Sequence, residues 1–377
     1  MGDVAIPEIP LTQLYEEQQF LARRVPVEGC IETSFRCNLA CVHCYVNRPS
    51  RHRAEAAREL LQEQLQRLID EIADAGCIHL LLTGGEVLIR SDFPDVYLHA
   101  LRRGLRVTIF TNGTLVTDRI ADLFDEYRPA SVEITLYGAT QEIYEKVTRV
   151  PGSFERCQQG IARLVTRRIP LRLKATVLTW NDHEVGAMRE FARGLGLEFR
   201  HDALLNARID CGTSRHREVQ ISAERTVELD LADPARRRAL RRLLPALPSE
   251  PEIPGEDLLY ACGAGQFMFT IDPYGQLHMC ELIRRHPFDV RNGGFARGWN
   301  EHVPALRRQH RTRPSPCQSC TLSALCGSCA GACELEHGDP ETQVAHFCRI
   351  AHRRAYALSE TIPGHRADAS CCLGSGC

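Results

Sequence analysis

From about residue 28 to 205, short apolar runs rich in β-branched residues alternate with longer amphipathic stretches. The runs Cys30–Ser34, His79–Thr83, Arg106–Thr111, Ser131–Leu136, Leu171–Val177 and Glu198–His201 read as strands. Between the first two, Ala54–Ala75 carries Leu61, Leu65, Leu68, Ile69 and Ile72 at helical spacing, and Gly76 stands where a C-terminal cap belongs. Comparable helical stretches follow each later strand. This α/β rhythm predicts parallel strands joined by right-handed crossovers, as an open sheet or as a full or partial barrel.

Leu205–Tyr260 breaks the rhythm with an arginine-rich helix, Ala235–Leu243, and then Pro245, Pro248, Pro251 and Pro254, which reads as a linker. The arginines read as a solvated helix face. Beyond 260 the runs Phe267–Ile271 and Gln276–Met279 flank Asp272-Pro273-Tyr274-Gly275 and predict a β-hairpin. Val344–Ser359 reads as a helix, and the small, polar stretch beyond Pro363 as a flexible tail.

Composition changes the picture at one point. The chain has 377 residues, 44 % of them hydrophobic, and a formal net charge of -2, which is ordinary for a globular protein and gives no global attraction to nucleic acid or an anionic membrane. Its 18 cysteines are not ordinary. The N-terminus shows no secretory signal and no run approaches a membrane span, so a cytoplasmic location is expected. In that compartment, metal or cluster ligation is a better account of many cysteines than disulfides. Cys30, Cys77, Cys157 and Cys211 stand apart and read as small buried hydrophobes.

Cys37, Cys41 and Cys44 form a CX3CX2C set directly after the first strand. Structural zinc sites combine four ligands, whereas three thiolates can hold three irons of a cubane and leave the fourth iron open to an outside ligand. Thr83-Gly84-Gly85-Glu86 ends the second strand. Two glycines there permit close backbone approach, and Glu86 offers an acceptor for a cationic amine.

Together these segments resemble the radical S-adenosylmethionine (SAM) superfamily. The resemblance implies a 4Fe-4S cluster on Cys37, Cys41 and Cys44 that binds SAM and cleaves it reductively to a 5'-deoxyadenosyl radical, which abstracts hydrogen from a substrate. It further implies that Gly84, Gly85 and Glu86 meet the methionine ammonium and that His43 lies near the adenine. Asn112, in the Asn-Gly turn after the third strand, would shape the floor of the site, and Thr135 would contact the SAM ribose or carboxylate. Arg149 would be offered to the SAM carboxylate, with Lys174 and Thr176 as weaker members of the set.

The C-terminal cysteines resemble a second unit. Cys262-X12-Gly275-X4-Cys280, then Cys317-X2-Cys320-X5-Cys326 and Cys348, is similar to the SPASM domain, an appendage of radical SAM enzymes that holds two auxiliary 4Fe-4S clusters. The family places a further cysteine at the position of Ala330; here cysteines stand at 329 and 333. By resemblance Cys317, Cys320, Cys326 and Cys348 would hold the outer cluster, and Cys262 and Cys280, with Cys329 or Cys333, the inner one. Glu281 would take the substrate proton. Cys371, Cys372 and Cys377 fall outside the pattern.

The expected fold is a partial (β/α)6 barrel followed by a small cysteine-rich domain with a β-hairpin and helices. The expected divisions are a segment 1–27, a radical SAM core 28–205, a linker 206–259, a SPASM domain 260–360 and a tail 361–377. The expected activity is maturation of a ribosomal precursor peptide or protein, such as a thioether or carbon-carbon crosslink, with flavodoxin or ferredoxin as reductant. So short a stretch before the first strand leaves leader recognition to a separate binding protein or to Pro7–Glu28. The rivals are a tetrapyrrole or small-molecule modifier and, outside enzymes, an electron carrier or zinc scaffold.

Overall fold

The computed structural model describes residues 24–46, 48–210, 215–244, 257–318 and 320–358. Cys211, the proline-rich stretch 245–256 and the tail cysteines lie outside the described residues.

Six parallel strands run in chain order across one sheet: β1 (Glu28–Ser34), β2 (His79–Gly84), β3 (Arg106–Thr111), β4 (Ser131–Leu136), β5 (Leu171–Thr176) and β6 (Glu198–Asp202). The period of two assigns the faces. Leu80, Leu82, Val107, Ile109, Val132, Ile134, Leu173 and Ala175 are buried and belong to the main apolar core. On the other face, Thr83, Phe110, Thr135, Lys174 and Thr176 line a cavity.

The helices cover the apolar face. In α1 (Gln62–Asp74) the buried set is Leu65, Leu68, Ile69 and Ile72, as their spacing predicts. The single helix expected over 54–75 is interrupted, however. Arg53–Ala56 makes one short turn, and Leu61 becomes the residue preceding α1, 63 % exposed, with its N–H donated to the Gln64 side chain at 2.8 Å. The remaining crossovers are α2 (Phe93–Arg102), α3 (Asp118–Glu126), α4 (Gln141–Thr148), α5 (Ser153–Thr166) and α6 (Val185–Gly194). Thr117 and Thr140 cap α3 and α4 by accepting backbone N–H groups.

Within 206–259, α7 (Ala223–Ala232) and α8 (Pro234–Leu243) are packed elements. The Arg354 guanidinium, 4 % exposed, binds Asp230 of α7 and the Leu325 carbonyl at 2.8 Å each, tying this stretch to the C-terminal region. The hairpin forms where expected, as β7 (Met268–Ile271) and β8 (Gln276–His278), with β9 (Phe288–Asp289) beside it. It extends the barrel sheet: β7 pairs in parallel with β1, Glu28 opposite Met268 through Ile31 opposite Ile271. The helices α9 (Ala330–His337), carrying Cys333, and α10 (Ala345–Leu358), carrying Cys348, follow.

Candidate active site

The carboxyl ends of β1–β5 converge on a cavity of about 250 Å³. Cys37, Cys41, His43, Cys44, Gly84, Gly85, Asn112 and Thr135 all line it, together with Lys174 and Thr176. Ten of the residues expected around a cluster and its cosubstrate therefore meet at one place.

The glycines are there for proximity. A Cβ on Gly84 would lie 2.2 Å from the Ser34 carbonyl oxygen, and one on Gly85 2.5 Å from that of Arg36. The bare backbone lets Gly85 donate its N–H to Ser34 at 2.7 Å and Glu86 to Arg36 at 2.9 Å. The turn after β2 is thus seated on the segment that leads into Cys37.

Glu86 departs from the expectation of an ammonium acceptor. It is 1 % exposed and is not in the cavity lining. Its carboxylate accepts the Thr111 hydroxyl at 2.6 Å, the Asn112 N–H at 2.8 Å and the Leu88 N–H at 3.1 Å. The side chain ties the turn after β2 to the turn after β3, leaving the backbone of Gly84 and Gly85 to face the cavity. Burial raises its carboxyl, with those hydrogen bonds opposing the rise.

Asn112 continues the chain of contacts. Its amide donates to Asn38 at 2.9 Å and approaches the Cys37 sulfur at 3.7 Å, and Asn38 donates to Thr114 at 2.8 Å. The cysteine loop is also held from the other side, where Ala40 and Val42 donate to the carbonyls of Thr148 and Val147. That docking is what the 148–149 segment contributes. The Arg149 side chain is exposed and outside the cavity lining, with its residue in a left-handed conformation (φ 58°) at the end of α4. The cation expected near SAM from this segment is therefore not supplied to the cavity.

Two residues missed in the sequence complete the wall. Tyr137, just past β4, donates its hydroxyl to Cys41 and packs on His43, with ring centroids 5.6 Å apart. Tyr45 lines the cavity beside Cys44. An aromatic residue directly after the fourth strand was the available signal for Tyr137.

Lys174 stands on the inner face of β5 with its ammonium 3.4 Å from Glu133 and over the Phe110 ring. Burial lowers its pKa to about 7, against the pull of Glu133. Glu281 lies elsewhere. It lines a neighbouring cavity with Cys30 and Glu133, where the Cys30 thiol approaches its carboxylate at 3.6 Å.

The three thiols influence one another. Burial pushes Cys37 up to about 12 and Cys41 well above the ordinary thiol value, and Cys44 adds to both. Three adjacent thiolates are stable only beside a strongly cationic centre. Among the described residues no three His, Cys, Asp or Glu side chains gather closely enough to share one metal ion. His43 adds a second indication, because its Nδ1 is sealed from solvent with no hydrogen-bond partner among the described residues. The residues present fit a cluster with a bound cosubstrate.

The Radical SAM superfamily model matches residues 31–192. These residues are a radical SAM domain. A domain of this class uses a 4Fe-4S cluster and SAM. An AdoMet-dependent heme synthase of Methanosarcina barkeri is 34 % identical over 170 residues, 45 % of this chain and 48 % of that protein. The match thus spans about half the length of that relative. Mycofactocin maturase MftC of Mycobacterium tuberculosis is 26 % identical over 359 residues, 90 % of this chain and 87 % of that protein. In fold, the chain is similar to Streptococcus suis SuiB, with a TM-score of 0.65 at 15 % identity over 90 % of this chain and 83 % of that one. It is also similar to anSMEcpe with bound AdoMet, with a TM-score of 0.63 at 14 % identity over 89 % and 97 %.

A third cavity, of about 420 Å³, is lined by Cys262, Cys280, Cys317, Cys320, Cys326, Cys329, Cys333 and Cys348. All eight C-terminal cysteines expected as ligands come together there. Among the described residues no helix is long and apolar enough to cross a membrane.

Proposed function

We propose that the chain is a peptide maturase that uses Cys37, Cys41 and Cys44 for its SAM-binding cluster and the eight-cysteine cavity for auxiliary 4Fe-4S clusters. The observation that carries this reading is the joint placement of the three thiols, Gly84, Gly85, His43, Asn112 and Thr135 on one cavity at the strand ends. When bound, cluster and cosubstrate supply a 5'-deoxyadenosyl radical for hydrogen abstraction.

The chain's own residues bind and orient. The Gly84–Gly85 backbone receives the methionine end, His43 and Tyr137 flank the cosubstrate, and Glu86 holds the two turns at fixed separation. A primary carbon radical attacks indiscriminately, so a walled cavity that excludes water and fixes the substrate is a requirement of the chemistry. Glu281 is assigned as proton acceptor from its own cavity, and a flavodoxin or ferredoxin as reductant. Peptide as the substrate class is favoured by the maturase relative, whose similarity runs through the cysteine-rich region as well as the barrel.

A second reading, a tetrapyrrole modifier, is favoured by the heme synthase relative. That match covers less than half of this chain, while an AdoMet-dependent heme synthase of Oleidesulfovibrio alaskensis is 26 % identical over 79 % of it, so the substrate test below decides between the readings. Reconstituted protein under strong reductant should release 5'-deoxyadenosine, and a Cys37/Cys41/Cys44 triple alanine variant should not. Coupling of that release to a short precursor peptide supports the maturase reading; coupling to an iron porphyrin alone refutes it.

A further inference from the structure

The helix α8 presents a strip of positive charge. Five of its ten residues are arginines and none is acidic, in a chain whose formal net charge is -2. Leu240 is its buried residue, whereas Arg237, Arg238, Arg241 and Arg242 are exposed, with Leu243 exposed beside them. Arg237 and Arg241, and likewise Arg238 and Arg242, are four residues apart and so are neighbours on the helix surface.

Helical arginines elsewhere in the chain have acidic partners. Arg163 of α5 binds Asp118, Arg225 of α7 binds Asp182 and Glu228, and on α8 itself Arg236 binds Asp230. Arg237, Arg238, Arg241 and Arg242 have no acidic partner among the described residues. Like charges four residues apart disfavour a helix, and Arg237 and Arg238 also stand toward the positive end of its dipole. An external polyanion laid along the strip would turn that repulsion into attraction.

The place of the helix narrows the choice of partner. Leu240 packs into a small apolar cluster with Leu322, Leu325 and Ala351, and Cys320 and Cys326 pack against the same cluster. Leu322, Ala351 and both cysteines also line the eight-cysteine cavity. One layer of side chains therefore separates α8 from that cavity, while no residue of α8 lines the SAM cavity. Electron transfer falls steeply with distance, so this is a seat for an electron carrier rather than for a peptide bound for the SAM cavity.

We propose that the exposed arginines of α8 form the docking face for an acidic electron-transfer protein of the flavodoxin class. The proposal rests on the function proposed above, in which the eight-cysteine cavity holds clusters and SAM is cleaved reductively. The docked carrier is oxidised by one electron, and SAM is reduced by one as its carbon–sulfur bond breaks to methionine and the 5'-deoxyadenosyl radical.

The test measures binding of oxidised flavodoxin, an acidic FMN protein, to the reconstituted full chain by isothermal titration calorimetry. Release of 5'-deoxyadenosine is followed in parallel with either reduced flavodoxin or dithionite as the electron source. Affinity should fall as salt is raised. Arg238→Glu/Arg242→Glu should weaken binding about tenfold or more and slow flavodoxin-driven release, with dithionite-driven release within about twofold of the unsubstituted chain. Arg238→Lys/Arg242→Lys keeps the charge and should keep most of the affinity. Arg102→Glu/Arg119→Glu makes the same change of charge at exposed positions on α2 and α3 and should leave binding nearly unchanged. No binding by the unsubstituted chain, unchanged affinity in the α8 charge reversal, or an equal loss in the α2 and α3 variant overturns the docking face. So does an α8 charge reversal that loses an acidic leader peptide and retains flavodoxin. An unsubstituted chain that releases no 5'-deoxyadenosine with dithionite overturns the proposed function instead, and the binding measurements still decide the docking face.

Discussion

Glu86 accepts the backbone N–H of Asn112 at 2.8 Å, and through this bond the turn after the second strand fixes the turn after the third. Asn112 passes the constraint to the cysteine loop through Asn38. Glu86→Ala would leave the donors of Thr111, Asn112 and Leu88 without their acceptor and should cost about 2–4 kcal/mol. Glu86→Gln keeps one acceptor oxygen and should cost about 1–2 kcal/mol. Denaturant unfolding of both variants checks the order. An Ala variant no less stable than the Gln variant would refute this anchoring role.

Gly85→Ala tests the same cradle from the backbone side. The added methyl meets two carbonyl oxygens, Arg36 at 2.5 Å and Phe35 at 2.6 Å, and neither can rotate aside. The turn must lift from the cysteine loop. A cost of about 1–3 kcal/mol is expected, with weaker SAM binding by equilibrium dialysis. Unchanged affinity would mean that the backbone here does not touch the cosubstrate.

Arg149 and Lys174 separate what motif order suggests from what the fold delivers. Arg149 is exposed and outside the cavity lining, so Arg149→Ala should leave SAM affinity within about twofold, a difference of about 0.4 kcal/mol. Lys174→Met alters the cavity wall and releases Glu133 from its ammonium partner. It should weaken substrate use while leaving the iron content of the protein unchanged. A large loss of SAM affinity in Arg149→Ala would mean that its side chain swings into the cavity on binding.

The strands and the cysteine loop were legible in the sequence because both are local. Arg106–Thr111 and Ser131–Leu136 coincide with their predicted spans, and the CX3CX2C and Gly-Gly positions meet as expected. What was not legible depends on contacts distant in sequence. Ala54–Ala75 reads as one periodic helix, yet the Leu60 N–H is taken by the Pro273 carbonyl at 2.8 Å, and the helix starts afresh beyond it. The hairpin was predicted, but not that β7 would pair with β1, since no local pattern encodes a register across more than two hundred residues. Glu86 was read as a ligand-facing acceptor because a carboxylate beside two glycines suits that role; only the fold shows its oxygens already engaged.

Glu32 offers a test of how the hairpin region is joined to the barrel. It is 1 % exposed on β1, and Arg284, which follows Cys280 and Glu281, clamps its carboxylate with bonds of 2.9 and 3.0 Å. Burial pushes the Glu32 carboxyl up to about 7, against the pull of Arg284, while Glu281 and Asp272 add to the rise. The folded chain therefore keeps this proton to about pH 7, whereas the unfolded carboxyl releases it near the ordinary value of 4.5. Between those values the folded state binds more protons, so stability falls as pH rises, and the contribution is lost above about pH 7. Glu32→Gln cannot ionise and lacks that fall. Its stability relative to the unsubstituted chain should increase as pH is raised from about 4.5 to about 7 in denaturant unfolding. If Glu32→Gln instead loses ground across that window, Arg284 outweighs burial, and the carboxylate is ionised throughout as one half of a closed ion pair.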